Sequence, residues 1–268
     1  MMKDIFCLHG TAPEVEKSVL KFEGIPADLV GKKLLFATDA HFGGLMNDRR
    51  MGRIIDLMTS LKPDIILLGG DNADNFANEA AFCERHLSRL HAPMGVFCVP
   101  GNNDWEAVDG DYDKLRHMVK KAGATLLVNE YVTLPVDAGR LIISGIDDYK
   151  RGNPDKNSIS HFRECEDFHI LLSHSPSAID DALEGENSGV RLVLCGHTHG
   201  GQLRIGKLSP YAIGFENTLN SRRKYFFVNG EHDVDGMKII VSNGIGCSLL
   251  PVRIGVAPQI NLFTLSGG

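Results

Sequence analysis

Residues 33–41 read KLLFATDAH, an apolar run that ends on an aspartate and a histidine two positions apart. A short apolar run bounded by polar residues has the pattern of a strand buried on both faces. The same shape returns four times. Asp64–Leu68 runs into Gly69-Gly70-Asp71, and Val96–Val99 into Pro100-Gly101-Asn102-Asn103-Asp104. His169–Leu172 runs into Ser173-His174, and Val190–Leu194 into Cys195-Gly196-His197-Thr198-His199. Helical patterns separate the first three runs. Asn47–Leu61 carries Met51, Ile54, Ile55 and Met58 at helical spacing, Asn78–Leu90 sets Phe82, Leu87 and Leu90 on one side, and Tyr112–Lys121 follows the third run. Strands alternating with helices predict an α/β fold whose parallel strands are joined by right-handed crossovers. Five polar clusters then fall at the carboxyl ends of five strands, the edge where the loops of an α/β sheet converge on ligands.

The second half is less regular. Leu126–Val128, Val132–Leu134 and Leu141–Gly145 read as strands, with a hairpin near Asp137-Ala138-Gly139, and Pro176–Leu183 as a short helix. Beyond it only strands are expected, at Tyr225–Val228, Lys238–Ser242 and Ile260–Leu265, between glycine-rich turns. A length of 268 residues suits one large or two small domains at about 150 residues each. No linker, repeat or shift in composition divides the chain, so a single domain over residues 1–268 is expected.

Net charge is −6, and the densest basic patch is only Arg222-Arg223-Lys224, which argues against an extended nucleic-acid footprint. The longest apolar stretch, Ala92–Gly101, holds two prolines and two glycines, far from the roughly 18 apolar residues of a membrane span. The first residues lack the apolar core of a signal peptide, and the six cysteines form no CxxC pair. A reduced, cytoplasmic protein without a membrane span is expected.

The strand-end clusters supply two aspartates (Asp39, Asp71), four histidines (His41, His174, His197, His199) and Asn102. Oxygen and nitrogen donors without thiolate suit divalent ions such as Mn, Fe or Zn. Singly, each cluster has a plain structural explanation: Asp-x-His as a cap or surface pair, Gly-Asp as a turn, His174 as a hydrogen-bonded core histidine. Together and in order, each after an apolar strand, they point to metal.

The ordered set Asp39-Ala-His41, Gly70-Asp71, Gly101-Asn-Asn-Asp104, His174 and Gly196-His-Thr-His199 resembles the signature of the calcineurin-like metallophosphoesterase superfamily, over residues 30–265. Gly196–Gln202 and the ending Asn243–Leu265 are similar to its YkuE/YaeI-type branch. The resemblance implies a four-layer αββα sandwich, two mixed sheets flanked by helices, with two divalent metal ions at one edge. It implies Asp39, His41 and His199 as ligands of one ion, Asn102, His174 and His197 as ligands of the other, and Asp71 as the bridge. A metal-bridging hydroxide would then attack phosphorus in line while both ions hold the non-bridging oxygens.

Position 103 departs from the family. Histidine is usual there, touching phosphate and protonating the leaving group, with the next acidic residue as its partner. Here Asn103 precedes Asp104. An amide can donate a hydrogen bond to a phosphoryl oxygen but cannot act as a general acid. Asn103 and Asp104 are therefore the expected catalytic pair of an enzyme that prefers phosphodiester or pyrophosphate-type bonds to alkyl monoesters. The resemblance extends the substrate class to lipid-linked or nucleotide phosphoesters. Two rivals are a non-catalytic scaffold of the same fold that binds phosphate, and a nuclease on short single strands, which the acidic charge disfavours. Asp74 reads either as support for a ligand or as a helix cap, and Trp105 as core filling or pocket wall. Asp147-Asp148-Tyr149 and Asn153–Asn157 read as a loop over the site. His117 or His161 could supply the missing acid, whereas His9, His86, His91, His169 and His232 read as surface or core residues.

Overall fold

The computed structural model describes residues 6–8, 11–137, 139–159, 167–184, 189–205 and 227–268. Six strands form one sheet in the order β2 (Glu14–Phe22), β14 (Gln259–Gly267), β3 (Lys33–Ala37), β4 (Ile65–Leu68), β5 (Val96–Cys98) and β6 (Thr125–Leu126). A second sheet runs β11 (Gly230–Val234), β12 (Met237–Val241), β10 (Val190–Cys195), β9 (Phe168–Leu172), β8 (Arg140–Gly145) and β7 (Glu130–Pro135). A ribbon pairs β1 (Phe6–Leu8) with β13 (Val252–Ile254). Both sheets are mixed. β3 to β6 are parallel, with β14 antiparallel to β3. β8, β9, β10 and β12 are parallel, with β7 and β11 antiparallel at the edges.

The layers follow from side-chain alternation along strands. Leu34, Phe36, Ile65, Leu67 and Phe97 of the first sheet meet Leu141, Ile143, Phe168, Ile170, Leu192 and Leu194 of the second in one core. Leu35, Ala37, Ile66 and Leu68 point the other way, under helices α1 (Asp48–Ser60), α2 (Phe76–Arg85) and α4 (Tyr112–Lys121). Leu171, Val193, Ile239 and Val241 pack beneath α5 (Ala178–Glu184). The result is the αββα sandwich. Every residue of β4 and of β9 is buried, which is why β4 reads as an unbroken apolar run and β9 as one interrupted only by His169.

Helix starts follow their caps. The Asn47 side chain accepts from the Arg50 amide at 3.1 Å and Asn75 from Asn78 at 3.0 Å, caps worth about 1 kcal/mol each. Asn75 starts α2 two residues before the apolar spacing does, and a 3-10 turn at Leu87–Arg89 replaces its expected end. A further helix, α3 (Asn102–Ala107), grows directly out of the third cluster. β1, β2, β11 and β13 lie where no strand was expected. The hairpin joins β7 to β8, with Ala138 outside the described residues. His9, His161, Cys165, Arg222–Lys224 and the first two residues of the Tyr225–Val228 run also lie outside them. Among the described residues no helix is long and apolar enough to cross a membrane.

Candidate metal centre

The loops after β3, β4, β9, β10 and β12 are sewn together by backbone hydrogen bonds. Asp39 N donates to Gly70 O, His41 N to Asp71 O, Gly196 N to His174 O, Ser242 N to Cys195 O, and Ile245 N to Thr38 O, all within 2.9–3.0 Å. Five candidate donors sit in left-handed backbone: Asp39 at φ 55°, His41 at 47°, Asp71 at 52°, His197 at 68° and His199 at 51°. Such conformations cost non-glycine residues about 1–3 kcal/mol each and persist only where surrounding contacts enforce them. Two glycines permit the tight approach. A Cβ on Gly70 would stand 2.5 Å from Gly101 N, and one on Gly196 would stand 2.2 Å from Thr38 Oγ1.

These turns aim the side chains at one another. His41 Nε2 lies 3.2 Å from His199 Nε2, and His199 Nε2 lies 3.4 Å from Asp39 Oδ1. His197 Nδ1 lies 3.1 Å from His174 Nε2, which is 3.4 Å from Asp71 Oδ2. Asp71 Oδ2 is also 3.8 Å from His41 Nε2. Two donor groups result, Asp39 with His41 and His199, and Asp39 with Asp71 and His174, the atoms of each within 4.8 Å of one another.

The donor set fits two divalent cations. Asp39 Oδ1 and Asn102 Oδ1 are buried without a hydrogen-bond partner, an arrangement that is costly unless something positive binds there. The outer ring atoms are held as metal ligands require. His174 Nδ1 lies 2.8 Å from the Gly69 carbonyl and His41 Nδ1 lies 3.1 Å from Asp74 Oδ1, which leaves both Nε2 atoms facing inward. Asp74 is therefore the support of His41, and the helix cap is Asn75.

Without ions, the charges lean on one another. Burial opposes ionisation of Asp71, but His174 and then His41 hold its carboxyl well below the usual range. Burial likewise works against a charge on His174, yet Asp71 keeps that imidazole above its ordinary value. His41 is raised despite burial, first by Asp74 and then by Asp71. His199 is lowered by burial, with His41 and Arg253 adding to it. Divalent ions would take the place of these shared protons.

Asn103 is half-buried at the mouth. Its amide nitrogen lies 3.1 Å from His41 Nδ1, and its backbone N–H donates to Asp71 Oδ1 at 2.8 Å. Asp104 lies underneath. Its carboxylate accepts from the backbone amides of Asp71 at 2.7 Å, Gly101 at 2.8 Å and Asn72 at 3.0 Å. No hydrogen bond joins it to the Asn103 side chain, so the partnership expected of Asp104 gives way to tying the β4 loop to α3. Behind Asp104 stands the buried carboxyl of Glu79, which the apolar pattern of α2 did not single out.

Beside the metal site opens a cavity of about 350 Å³ between residues 43–45 and 247–251, with His41, Asp74 and Asn103 at one end. Leu249 stands 91% exposed at its lip in left-handed backbone, φ 57°. The Gln202 side chain holds that loop, donating to the carbonyls of Ser248 at 2.8 Å and Leu250 at 2.9 Å and accepting from Ser248 N at 2.7 Å. Trp105 is half-buried against Gly110 and does not line the cavity. Asp147 and Asp148 are buried and organise their own loop, with Asp148 accepting from the Lys150 and Arg151 amides. His117 and His91 are exposed, His86 and His169 bond to Asp48 and Ser144, and His232 stacks on Phe227.

Known proteins resemble this chain over most of its length. The uncharacterized metallophosphoesterase YkuE of Bacillus subtilis (strain 168) is 30% identical over 258 residues, covering 94% of this chain and 85% of YkuE. An uncharacterized metallophosphoesterase of Aquifex aeolicus (strain VF5) is 28% identical over 260 residues, 94% of this chain and 92% of that one. YpbG of Bacillus subtilis is 27% identical over 240 residues, 87% and 81% of the two chains. The model of the calcineurin-like phosphoesterase family matches residues 32–201. That match begins one residue before β3, takes in all five sequence clusters and ends on the glycine after the GHTHG turn, and so the chain belongs to the calcineurin-like phosphoesterase family.

Proposed function

We propose that this metal-dependent phosphoesterase hydrolyses phosphodiester or pyrophosphate-type bonds with two divalent ions, Mn, Fe or Zn by the chemistry of the donors. In this reading Asp39, His41 and His199 hold one ion, Asn102, His174 and His197 the other, and Asp71 both. The observation that carries it is the position of Asp71, whose Oδ2 lies 3.8 Å from His41 Nε2 and 3.4 Å from His174 Nε2, one histidine from each set. When bound, the ions supply Lewis acidity and a hydroxide nucleophile near neutral pH.

The chain's own groups do the rest. The Asn103 amide offers a hydrogen bond to a phosphoryl oxygen but holds no titratable proton, so the leaving group departs unprotonated. That suits an aryloxide or a phosphate better than an alkoxide. Leu45, Leu249 and Leu250, 49–91% exposed around the adjoining cavity, favour an apolar arm on the substrate over a nucleotide base, for which no Phe, Tyr or Trp lines the cavity among the described residues. The buried thiols Cys7, Cys83, Cys98, Cys195 and Cys247 suit a reducing cytoplasm.

The test is an assay with added Mn²⁺ on a bis-aryl phosphodiester, the matching aryl monoester and a short oligonucleotide. Turnover of the diester ahead of the monoester, with little on the oligonucleotide, is expected. Metal binding without turnover of any of the three would support the phosphate-binding scaffold instead.

A further inference from the structure

Among the described residues Arg253 is the largest side chain with no exposure to solvent. It sits in the middle of β13, opposite Cys7 of β1. Its Nε donates to Gly246 O at 2.7 Å, Nη1 to His199 O at 3.0 Å, and Nη2 to Gly244 O at 3.2 Å and also to Gly246 O. Nη2 lies 3.2 Å from His199 Nδ1 as well. Among the described residues no carboxylate is hydrogen-bonded to it. A buried guanidinium without an ion-pair partner gains little from its charge; what it has here is a planar fork that reaches two separate segments at once.

Both segments need holding. His199, Gly200, Gly201 and Gln202 are four consecutive residues in left-handed backbone, at φ 51°, 63°, 82° and 43°, and such a run persists only when neighbours enforce it. The Gly244–Gly246 turn in its turn binds the Asp39 loop, with Ile245 N donating to Thr38 O at 3.0 Å and Gly246 N to Asp39 O at 2.6 Å. β13 adds backbone bonds to the same stretch, from Ile254 N to Gln202 O at 2.9 Å and from Arg204 N to Ile254 O at 2.8 Å. One side chain thus joins the turn carrying His199 to the turn that braces Asp39. His174 and His197 receive no hydrogen bond from it.

We propose that Arg253 is a positioning residue for one half of the metal centre: its fork sets the His199 and Asp39 turns against each other and so fixes the affinity of the ion held by Asp39, His41 and His199. The inference rests on the two-ion reading above. Loss of an outer support of a metal ligand costs about 10–100-fold in metal affinity. Lysine keeps the charge but cannot reproduce the fork, so Arg253→Lys should bind the ion held by His199 about 10–100-fold more weakly and the other, which lies near Asp39 but not His199, much less so. Raising Mn²⁺ by the same factor should restore kcat on the bis-aryl diester, with KM unchanged. Arg253→Gln, neutral but still a donor, is the second variant, and thermal melts identify which variants fold.

His199→Ala is the control. It should weaken the same ion, and adding Arg253→Lys to it should cost little more, because coupled residues do not add. Equal weakening of both ions, full additivity with His199→Ala, or two Mn²⁺ bound as in wild type by Arg253→Lys would each overturn the proposal. Two ions bound by His199→Ala as tightly as in wild type would count against the ligand set of the reading above and remove this inference with it.

Discussion

Asp71 and His174 face each other across the seam between the sheets: the Asp71 carboxylate, just beyond β4, lies 3.4 Å from the His174 Nε2, just beyond β9. The site is therefore made by sheet-on-sheet packing and belongs to neither sheet alone. Replacing Asp71 with Asn keeps the shape and removes the carboxylate charge that lies 3.8 Å from His41 Nε2 in one proposed ligand set and 3.4 Å from His174 Nε2 in the other. Asp71→Asn is expected to lose both ions and more than about 100-fold in activity, the upper cost of losing only an outer support. Metal analysis finding two ions and unchanged turnover would reject Asp71 as the shared ligand.

His197 and His199 are two positions apart and diverge. His197 meets His174, whereas His199 meets His41 and Asp39. His197→Ala and His174→Ala should each bind the same single ion far more weakly, and His199→Ala the other, all three abolishing hydrolysis at Mn²⁺ levels that saturate the wild type. Stoichiometry by Mn²⁺ titration checks this, and any of the three retaining wild-type turnover would break the ligand set apart.

Glu79 and Asp104 form a buried carboxyl pair beneath the centre. Asp104 is committed to three backbone amides, so Glu79 keeps the proton. Burial, and then the charge on Asp104, hold its pKa well above the ordinary 4.5. A carboxyl raised on folding binds more protons folded than unfolded, so this contribution is full below pH 4.5 and lost as pH rises toward the folded value. Between those limits the metal-free protein should lose up to about 1.4 kcal/mol of stability per pH unit from this group. Glu79→Gln keeps a donor toward Asp104 without a proton to lose. Urea unfolding from pH 5 to 8.5 should show a shallower decline in the variant, and parallel curves would assign the pair no shared proton.

Much of this was legible because a strand buried on both faces writes itself as an apolar run. Ile65–Leu68 and Phe168–Leu172 carry that pattern, and the residues that follow them are the candidate donors. The unread strands lack it. Glu14–Phe22 alternates charged with apolar residues at a sheet edge, and Val252–Ile254 has an arginine at its centre. That arginine between Val252 and Ile254 was the available signal for a buried polar role. Pro100-Gly101 reads as a stop, yet Gly101 is the cap of α3. Adjacency in sequence suggested that Asp104 serves residue 103; the first turn of α3 instead points its carboxylate down into the backbone.

That placement sharpens what Asn103→His should do. Asn103 stands at the cavity end with its amide 3.1 Å from His41 Nδ1, where an imidazole could reach a leaving oxygen. A general acid contributes about 10²–10⁴-fold, most for an alkoxide, which needs its proton as the P–O bond breaks, and least for an aryloxide. With Asp104 taken by backbone amides, no carboxylate is free beneath position 103 to orient the new ring, and Asp74 is bound to His41. The gain on alkyl monoesters is therefore expected at the low end, about 10²-fold, with little change on aryl diesters. It should also follow the titration of an imidazole when kcat/KM is compared over roughly pH 5–9. An equal change on both substrates, or a wild type already favouring alkyl monoesters, would mean that the proton reaches the leaving group from elsewhere. His117, exposed on α4, and His161 would then be the first residues to replace.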